Sequence, residues 1–131
     1  MEFWFWFIIF VLFIMLMNAK SDINRLEHII EAVDRIQNYT AVEYADYEKS
    51  LEKQDAVISN FIKLGEAAGK ISPELKTAHP EVNWRNAIGM RNVLVHDYVK
   101  IDYKELWLTA KNDLPALKKQ IQKILEDISE Q

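Results

Sequence analysis

One segment in the C-terminal half of the chain combines side chains that can do chemistry. Arg91, Asn92, His96 and Tyr98 lie within eight residues of one another, around an apolar spine of valines and a leucine. An imidazole exchanges a proton near neutral pH because its ordinary pKa is about 6.5, whereas a guanidinium keeps its charge at any physiological pH. This segment is therefore the strongest candidate for a chemical site.

Helical spacing determines how these side chains can meet. On a helix, Asn92 and His96 share a face because they are four residues apart. Arg91 precedes His96 by five residues, which places it about 140° around the helix. The spacing therefore favours a groove in which Arg91 and His96 meet along one wall, or in which each meets the same pair from a second subunit.

Other common types of site have little support in the sequence. The chain has no cysteine, no glycine-rich phosphate loop and no paired spacing of metal ligands. The other two histidines, His28 and His79, are far apart in the sequence and are interpreted as a surface residue of a helix and a loop residue. We therefore expect neither a metal nor a cofactor.

The elements that must position the segment are predicted to be helices. The chain of 131 residues has the length of one domain, and its 3 Gly and 3 Pro are too few for the turns of a β-sandwich or barrel. Apolar residues recur every three or four positions, which predicts an all-α, largely antiparallel helical bundle. The expected helices run from an N-cap at Ser21 to about Asn38, from about Gln54 to a stop at Pro73, from Asn83 or Trp84 to His96, and from Tyr103 to Ile128 with a kink or break near Asn112 to Leu114 before Pro115. The more polar stretch from Tyr39 to Ser50 is expected to be a short surface helix or an ordered loop.

Two glycines on the second of these helices indicate a close approach. Gly65 and Gly69 are one turn apart, and each costs about 1 kcal/mol of helix propensity relative to alanine. We expect either a tight crossing with another helix of the same chain or a contact between subunits.

The N-terminal residues 1–17 differ from the rest of the chain. Phe3 to Met17 is uncharged and apolar, and as a helix it would span about 22 Å, less than the hydrocarbon core of a bilayer. It also lacks the basic start and small-residue cleavage site of a secretory signal. We interpret residues 1–17 as an extension, either a misassigned start or a short anchor, and residues 18–131 as the domain. We expect a cytoplasmic location and no membrane as a partner.

Several motifs in order resemble a known family. The chain is similar to the HEPN superfamily and specifically to the HepT-type toxins, over essentially Asn18 to Gln131. The family pattern starts near Met17, so the hydrophobic run before it is a departure. The matching motifs are Gln54-Asp55-Ala56-Val57, Gly65-Glu66-Ala67-Ala68, Trp84, Gly89-Met90-Arg91-Asn92, His96-Asp97-Tyr98, Trp107 and Asp113-Leu114-Pro115.

The resemblance implies an endoribonuclease that works without a metal. In such a homodimer, Arg91 and His96 of both subunits would line one cleft as the catalytic pair, and Asn92 would help to orient them. A histidine can take the proton of a ribose 2′-hydroxyl, and an arginine can bind the phosphate as negative charge builds on it. Attack by the 2′-hydroxyl would leave a 2′,3′-cyclic phosphate, so RNA but not DNA would be cut.

The resemblance also implies a protein partner. In type VII toxin–antitoxin systems of this kind, an MNT-type nucleotidyltransferase antitoxin modifies the tyrosine of the motif with AMP, which here is Tyr98. A phosphodiester next to Arg91 and His96 would occupy the phosphate site and silence the toxin. The alternatives are that Tyr98 simply packs at a helix end, and that the protein is a non-catalytic helical adaptor or nucleotide-binding subunit for a nucleotidyltransferase.

The charge distribution is compatible with an RNA substrate. The whole chain carries a net charge of −4, but the stretch from Lys63 to Lys104 has seven basic and five acidic residues. A polyanion would be attracted to this stretch, weakly and in a salt-sensitive way. An excess of two charges is also common on ordinary protein surfaces.

Overall fold

The computed structural model describes residues 2–130, and these form helices without any strand. This result confirms the predicted all-α class. The elements are α1 (Glu2–Tyr39), α2 (Tyr44–Lys49), α3 (Leu51–Gly69), α4 (Pro73–Ala78), α5 (Trp84–His96), a short 3-10 turn (Tyr98–Lys100), α6 (Tyr103–Asn112) and α7 (Leu114–Ser129).

Helix α3 lies at the centre of the bundle. It packs against the C-terminal half of α1 and against α5, and α7 packs against α1 and α6. The core is aliphatic, with Leu26, Val33 and Ile36 of α1 and Val57 of α3 at 0% exposure. Burial of this apolar surface drives folding. The recurrence of apolar residues every three or four positions predicts that one face of each helix is buried in this way.

Tyr47 of α2 belongs to the same core. Its side chain is completely buried, and its hydroxyl donates to the backbone carbonyl oxygen of Tyr103 at 3.3 Å. Burial raises the pKa of Tyr47 to about 12 because it disfavours the phenolate. Tyr39 to Ser50 therefore contains a short helix, as predicted, but this helix is not confined to the surface because it buries Tyr47.

The sequence predicted most helix ends correctly. The side chain of Asn83 accepts from the backbone N–H of Asn86 at 3.0 Å and caps α5, which ends at His96. Before Pro115 the chain breaks as expected, since α6 ends at Asn112 and α7 begins at Leu114. Helix α3 ends at Gly69, and Pro73 instead begins α4.

The predicted N-cap at Ser21 was wrong. Helix α1 continues through Ser21 without interruption because the preceding residues are helical too, so no free N–H groups exist there for a cap to satisfy. The neighbouring Asp22 has a different role. Its buried carboxylate accepts from the backbone N–H of Ser72 at 2.9 Å and from the Ser72 hydroxyl at 2.6 Å, which ties α1 to the start of α4.

The first half of α1 extends beyond the bundle. All side chains from Phe3 to Met17 are exposed, although all are apolar. Among residues 2–130, α1 is the one helix whose length and composition would allow it to cross a membrane; an N-terminal signal sequence satisfies the same criterion. The core begins only at Asp22 and Leu26, so the packing of the bundle does not involve this segment.

Gly65 lies where α3 crosses α5. A Cβ atom at Gly65 would be 2.2 Å from Cβ of Arg91 and 2.7 Å from the carbonyl oxygen of Ala87. Gly69 is less crowded, with Ile88 Cγ1 at 3.9 Å. The close approach predicted from the glycines is therefore a crossing of two helices of the same chain, and it depends on Gly65.

Candidate functional site

Helix α5 carries most of the predicted site, and its two faces differ. Toward the bundle, Trp84 and Leu94 are buried, and Trp84 Nε1 donates to the carbonyl oxygen of His79 at 3.0 Å. The opposite side, which we call the open face of α5, has only exposed residues: Arg85, Asn86, Gly89, Asn92, Val93 and His96. A helix that buries so few residues leaves a surface available for another molecule.

Arg91 spans the boundary between the two faces. Its aliphatic stem packs over Gly65, where there is no side chain in the way. At the other end, Nη1 donates to Oδ1 of Asn92 at 3.1 Å, and Nη2 lies 3.6 Å from Oε1 of Glu66. The guanidinium is therefore held at the edge of the open face by one residue of α5 and one residue of α3.

One nitrogen of this guanidinium is unsatisfied. Nε of Arg91 is buried, and no acceptor within residues 2–130 bonds to it. An unsatisfied buried donor costs about 1–3 kcal/mol, and functional sites are where such a cost is often retained. Because the Arg91 side chain is 31% exposed, its terminal nitrogens can still reach a ligand at the surface.

His96 is the last residue of α5. The helix ends there with the backbone N–H of Asp97 donating to the carbonyl oxygen of Val93 at 2.8 Å. The imidazole is exposed, and within the described part of the chain it forms neither a hydrogen bond nor an ion pair. Both ring nitrogens are thus free to accept or donate a proton.

Tyr98 follows in the 3-10 turn, two residues after the helix. Its side chain is 69% exposed, and the next residue, Val99, is almost completely exposed. The turn is closed by the backbone N–H of Lys100, which donates to the carbonyl oxygen of Asp97 at 2.9 Å. In the chain by itself Tyr98 does not pack against the bundle, so its hydroxyl is accessible.

The structure brings together some of the predicted residues and not others. Arg91 and Asn92 are hydrogen-bonded. Arg91 packs toward α3, whereas His96 is at the exposed end of α5, and no hydrogen bond joins the two side chains among residues 2–130. A wall shared by Arg91 and His96 of one chain stays a prediction, since five residues of helix separate the two positions. The version with a second subunit stays a prediction.

The other two histidines lie elsewhere. His28 is exposed on α1, and His79 Nδ1 lies 3.1 Å from Oε1 of Glu81 in the loop before α5. A backbone hydrogen bond and the contact with His79 hold the pKa of Glu81 below its usual value. No cluster of three or more potential metal ligands exists within residues 2–130.

Sequence reasoning missed the role of α3 in this site. Gly65 makes room for Arg91, and the following residue, Glu66, pairs with its guanidinium. The signal was present in the pair Gly65-Glu66, since a glycine that costs helix propensity next to an acid indicates a close and charged neighbour. Which neighbour it is depends on the crossing of α3 and α5.

Comparisons with known proteins agree on one family. The family model described as "Ribonuclease HepT-like" matches residues 29–124. A Thermococcus cleftensis protein named "Probable ribonuclease HepT" is 36% identical over 106 residues, which is 80% of this chain and 96% of that protein. Two Methanocaldococcus jannaschii proteins with RNase in their names are 35% and 34% identical, over 83% and 85% of this chain and 92% and 97% of their own lengths. No solved structure gives a significant match.

The structure is a small helical bundle, and the proteins that this chain resembles are named as ribonucleases. The chain belongs to the HepT-like ribonuclease family, within the HEPN superfamily. The resemblance predicted from the ordered motifs is thereby confirmed.

Proposed function

We propose that this protein is a metal-independent endoribonuclease, the toxin of a type VII toxin–antitoxin system. The observation that carries the proposal is the open face of α5, which presents an unengaged imidazole at His96 and a guanidinium held at its edge by Asn92. Family membership supports the ribonuclease assignment. Among residues 2–130 the exposed His96 side chain forms neither a hydrogen bond nor an ion pair, so it has no evident structural task in the bundle.

A homodimer would complete the site. Val93, Val95 and Val99 are exposed apolar residues close to His96, and burial of such residues drives association. Gly89 on the open face has no neighbour within 4 Å, so packing inside the chain does not require a glycine there. A close approach of two α5 helices would explain it. In a twofold dimer each group would occur twice, so Arg91 of one subunit could face His96 of the partner subunit.

The reaction follows from these groups. His96 takes the proton of a ribose 2′-hydroxyl, and the 2′-oxygen attacks the adjacent phosphorus atom. The bond to the 5′-oxygen of the next nucleotide breaks, and His96 of the partner subunit returns a proton to that oxygen. Arg91 binds the phosphate oxygens as their charge increases. The products are a 2′,3′-cyclic phosphate and a 5′-hydroxyl, and the sequence of steps needs no metal.

A cleavage assay tests the activity. We expect the purified protein to cut single-stranded RNA in the presence of EDTA, and His96→Ala to reduce the rate at least about 100-fold because a general base contributes 10²–10⁴-fold. His79→Ala is the matched control, since His79 lies in a loop outside the proposed site. Cleavage that survives His96→Ala would remove His96 from the mechanism. A protein that never cleaves RNA but binds a nucleotidyltransferase would support the adaptor alternative.

The dimer has a separate test. We expect light scattering to show two chains per particle and Val93→Asp to dissociate them, whereas Leu51→Asp, at an exposed position at the start of α3, leaves the mass unchanged. Gly89→Ala has room within the chain and should weaken only the dimer. If the wild-type protein is a monomer in solution, the dimer proposal is contradicted.

Silencing by the antitoxin would act on Tyr98, whose hydroxyl is accessible. An AMP group there adds a phosphodiester that competes for Arg91. After co-expression with an MNT-type nucleotidyltransferase we expect the intact mass to increase in steps of one AMP and RNA cleavage to stop. Tyr98→Phe should abolish both effects. A mass increase that persists in Tyr98→Phe would place the modification on another residue.

A further inference from the structure

A groove between α1 and α3 has four lysine or arginine side chains and two carboxylates in its lining. It has a volume of about 260 Å³. The two helices contribute residues three or four positions apart, so the same face of each helix lines it along its whole length. The basic residues are Arg25 and Arg35 of α1, and Lys63 and Lys70 of α3.

Positive charges outnumber negative charges in the groove. Two carboxylates line it, but Glu31 pairs with Arg35 and Glu66 pairs with Arg91. Among residues 2–130, no carboxylate lies within ion-pair distance of Arg25, Lys63 or Lys70. Three cations that remain uncompensated in a protein of net charge −4 produce a local positive potential, and a groove strengthens it.

A buried polar atom in the same groove also lacks a partner. Asn60 is 5% exposed, and its Nδ2 donates to the carbonyl oxygen of Ala56 at 2.8 Å. Its Oδ1 is buried, and nothing within the described chain donates to it. A phosphate carries no proton to offer this oxygen, whereas a ribose hydroxyl or the amino group of a base does. The requirement favours a nucleotide over a simple anion.

The groove continues to the candidate site through one residue. Glu66 lines the groove and contacts the guanidinium of Arg91 across the α3–α5 crossing. The basic positions from Lys63 to Lys70 extend along about 10 Å of helix, enough for more than one phosphate of a strand. A nucleic-acid strand bound in the groove would therefore lead toward Arg91.

We infer that the α1–α3 groove is a second RNA-binding site, which holds the single strand beside the scissile phosphate. Arg25, Lys63 and Lys70 bind consecutive phosphates, and Asn60 accepts a hydrogen bond from a ribose or base. The inference rests on the proposed ribonuclease function for the identity of the ligand. It explains why a chain that is acidic overall concentrates free cations beside Arg91.

The test measures binding separately from cleavage. In full-length protein with His96→Ala, the double variant Lys63→Gln and Lys70→Gln removes two exposed cations from the groove. We expect a fluorescent single-stranded RNA to bind about tenfold more weakly, and the slope of log affinity against log salt to fall by about 1.4, since each phosphate contact on a single strand contributes about 0.7.

The matched control is Lys119→Gln with Lys123→Gln on α7. Both lysines are exposed, and the net charge of the protein changes by the same amount. RNA affinity and salt slope should then stay near the parent values, because α7 does not line the groove. Equal losses in the two double variants would mean that overall charge, and not the groove, sets the affinity.

Cleavage of the same RNA by protein that retains His96 distinguishes the ribonuclease proposal from the groove inference. If that chain cleaves the RNA but the groove variant binds it normally, the groove inference is overturned and the ribonuclease proposal stands. If no cleavage occurs but the groove variant still loses RNA affinity, the ribonuclease proposal is overturned and the groove inference stands. If the groove variant instead loses only its complex with a nucleotidyltransferase, the groove is a protein-docking surface and the inference is wrong.

Discussion

Helices α3 and α5 pack against each other but differ in what they bury. Of the 19 residues of α3, nine are buried, whereas α5 has 13 residues and buries only Trp84 and Leu94. Substitutions at nearly half of the positions on α3 therefore disturb the core, whereas most substitutions on α5 disturb only the surface. The difference shows how a small bundle separates its tasks: one helix holds the fold together, and the other presents side chains that the fold does not need.

The largest difference between the two helices should appear in stability. Phe61 of α3 is 3% exposed, so Phe61→Ala leaves a cavity and should lower the free energy of unfolding by about 3–5 kcal/mol. Arg85→Ala on α5 is the counterpart at an exposed position away from the valines of the proposed dimer contact, and it should change stability by at most about 0.5 kcal/mol. Urea denaturation measures both. Similar losses would mean that α5 contributes to the core as much as α3 does.

Activity should show the opposite pattern: substitutions on α5 should lower the rate of RNA cleavage more than substitutions on α3. Arg91→Lys keeps the charge but loses the planar fork that binds two phosphate oxygens, and we expect kcat for RNA cleavage to fall roughly 100-fold. A melting temperature close to that of the parent protein would separate this loss from unfolding. Unchanged cleavage would mean that a simple positive charge is sufficient at this position.

The crossing of the two helices should affect both properties. In Gly65→Ala the new methyl group meets Arg91 Cβ and the Ala87 carbonyl, so α5 must shift; we expect a loss of about 1–3 kcal/mol in stability together with lower activity. Gly69→Ala is the matched control because its nearest neighbour is 3.9 Å away, and it should be neutral or stabilising. Thermal melts and initial rates of the two variants would test whether the position of α5 depends on Gly65.

The smallest effect is expected where α3 contacts Arg91. Glu66 Oε1 lies 3.6 Å from Arg91 Nη2 and competes with a phosphate for the guanidinium. Since exposed ion pairs are weak, Glu66→Gln should lower KM for RNA by at most about fivefold. Glu74→Gln on the exposed face of α4 should leave KM unchanged. An increase in KM would indicate that Glu66 positions Arg91 for substrate instead of competing with it.

Much of the fold was predictable because local signals determine where helices begin and end. The start of α5 at Trp84 and the break before Pro115 depend on backbone donors within a few residues, and both occur as predicted. Ser21 shows the limit of such signals. It has the right residue type for a cap, but whether a helix begins there depends on the conformation of the residues before it, which form helix as well.

The sequence by itself determined the helical class, the family and the short segment that carries Arg91, Asn92, His96 and Tyr98. These follow from residue types at short spacings, which the chain encodes directly. Only the tertiary structure decided that Gly65 makes room for Arg91, that Glu66 pairs with it, and that Asn60 lies buried in a basic groove. Such contacts join residues that are distant in sequence, and their partners are fixed by how the helices pack together.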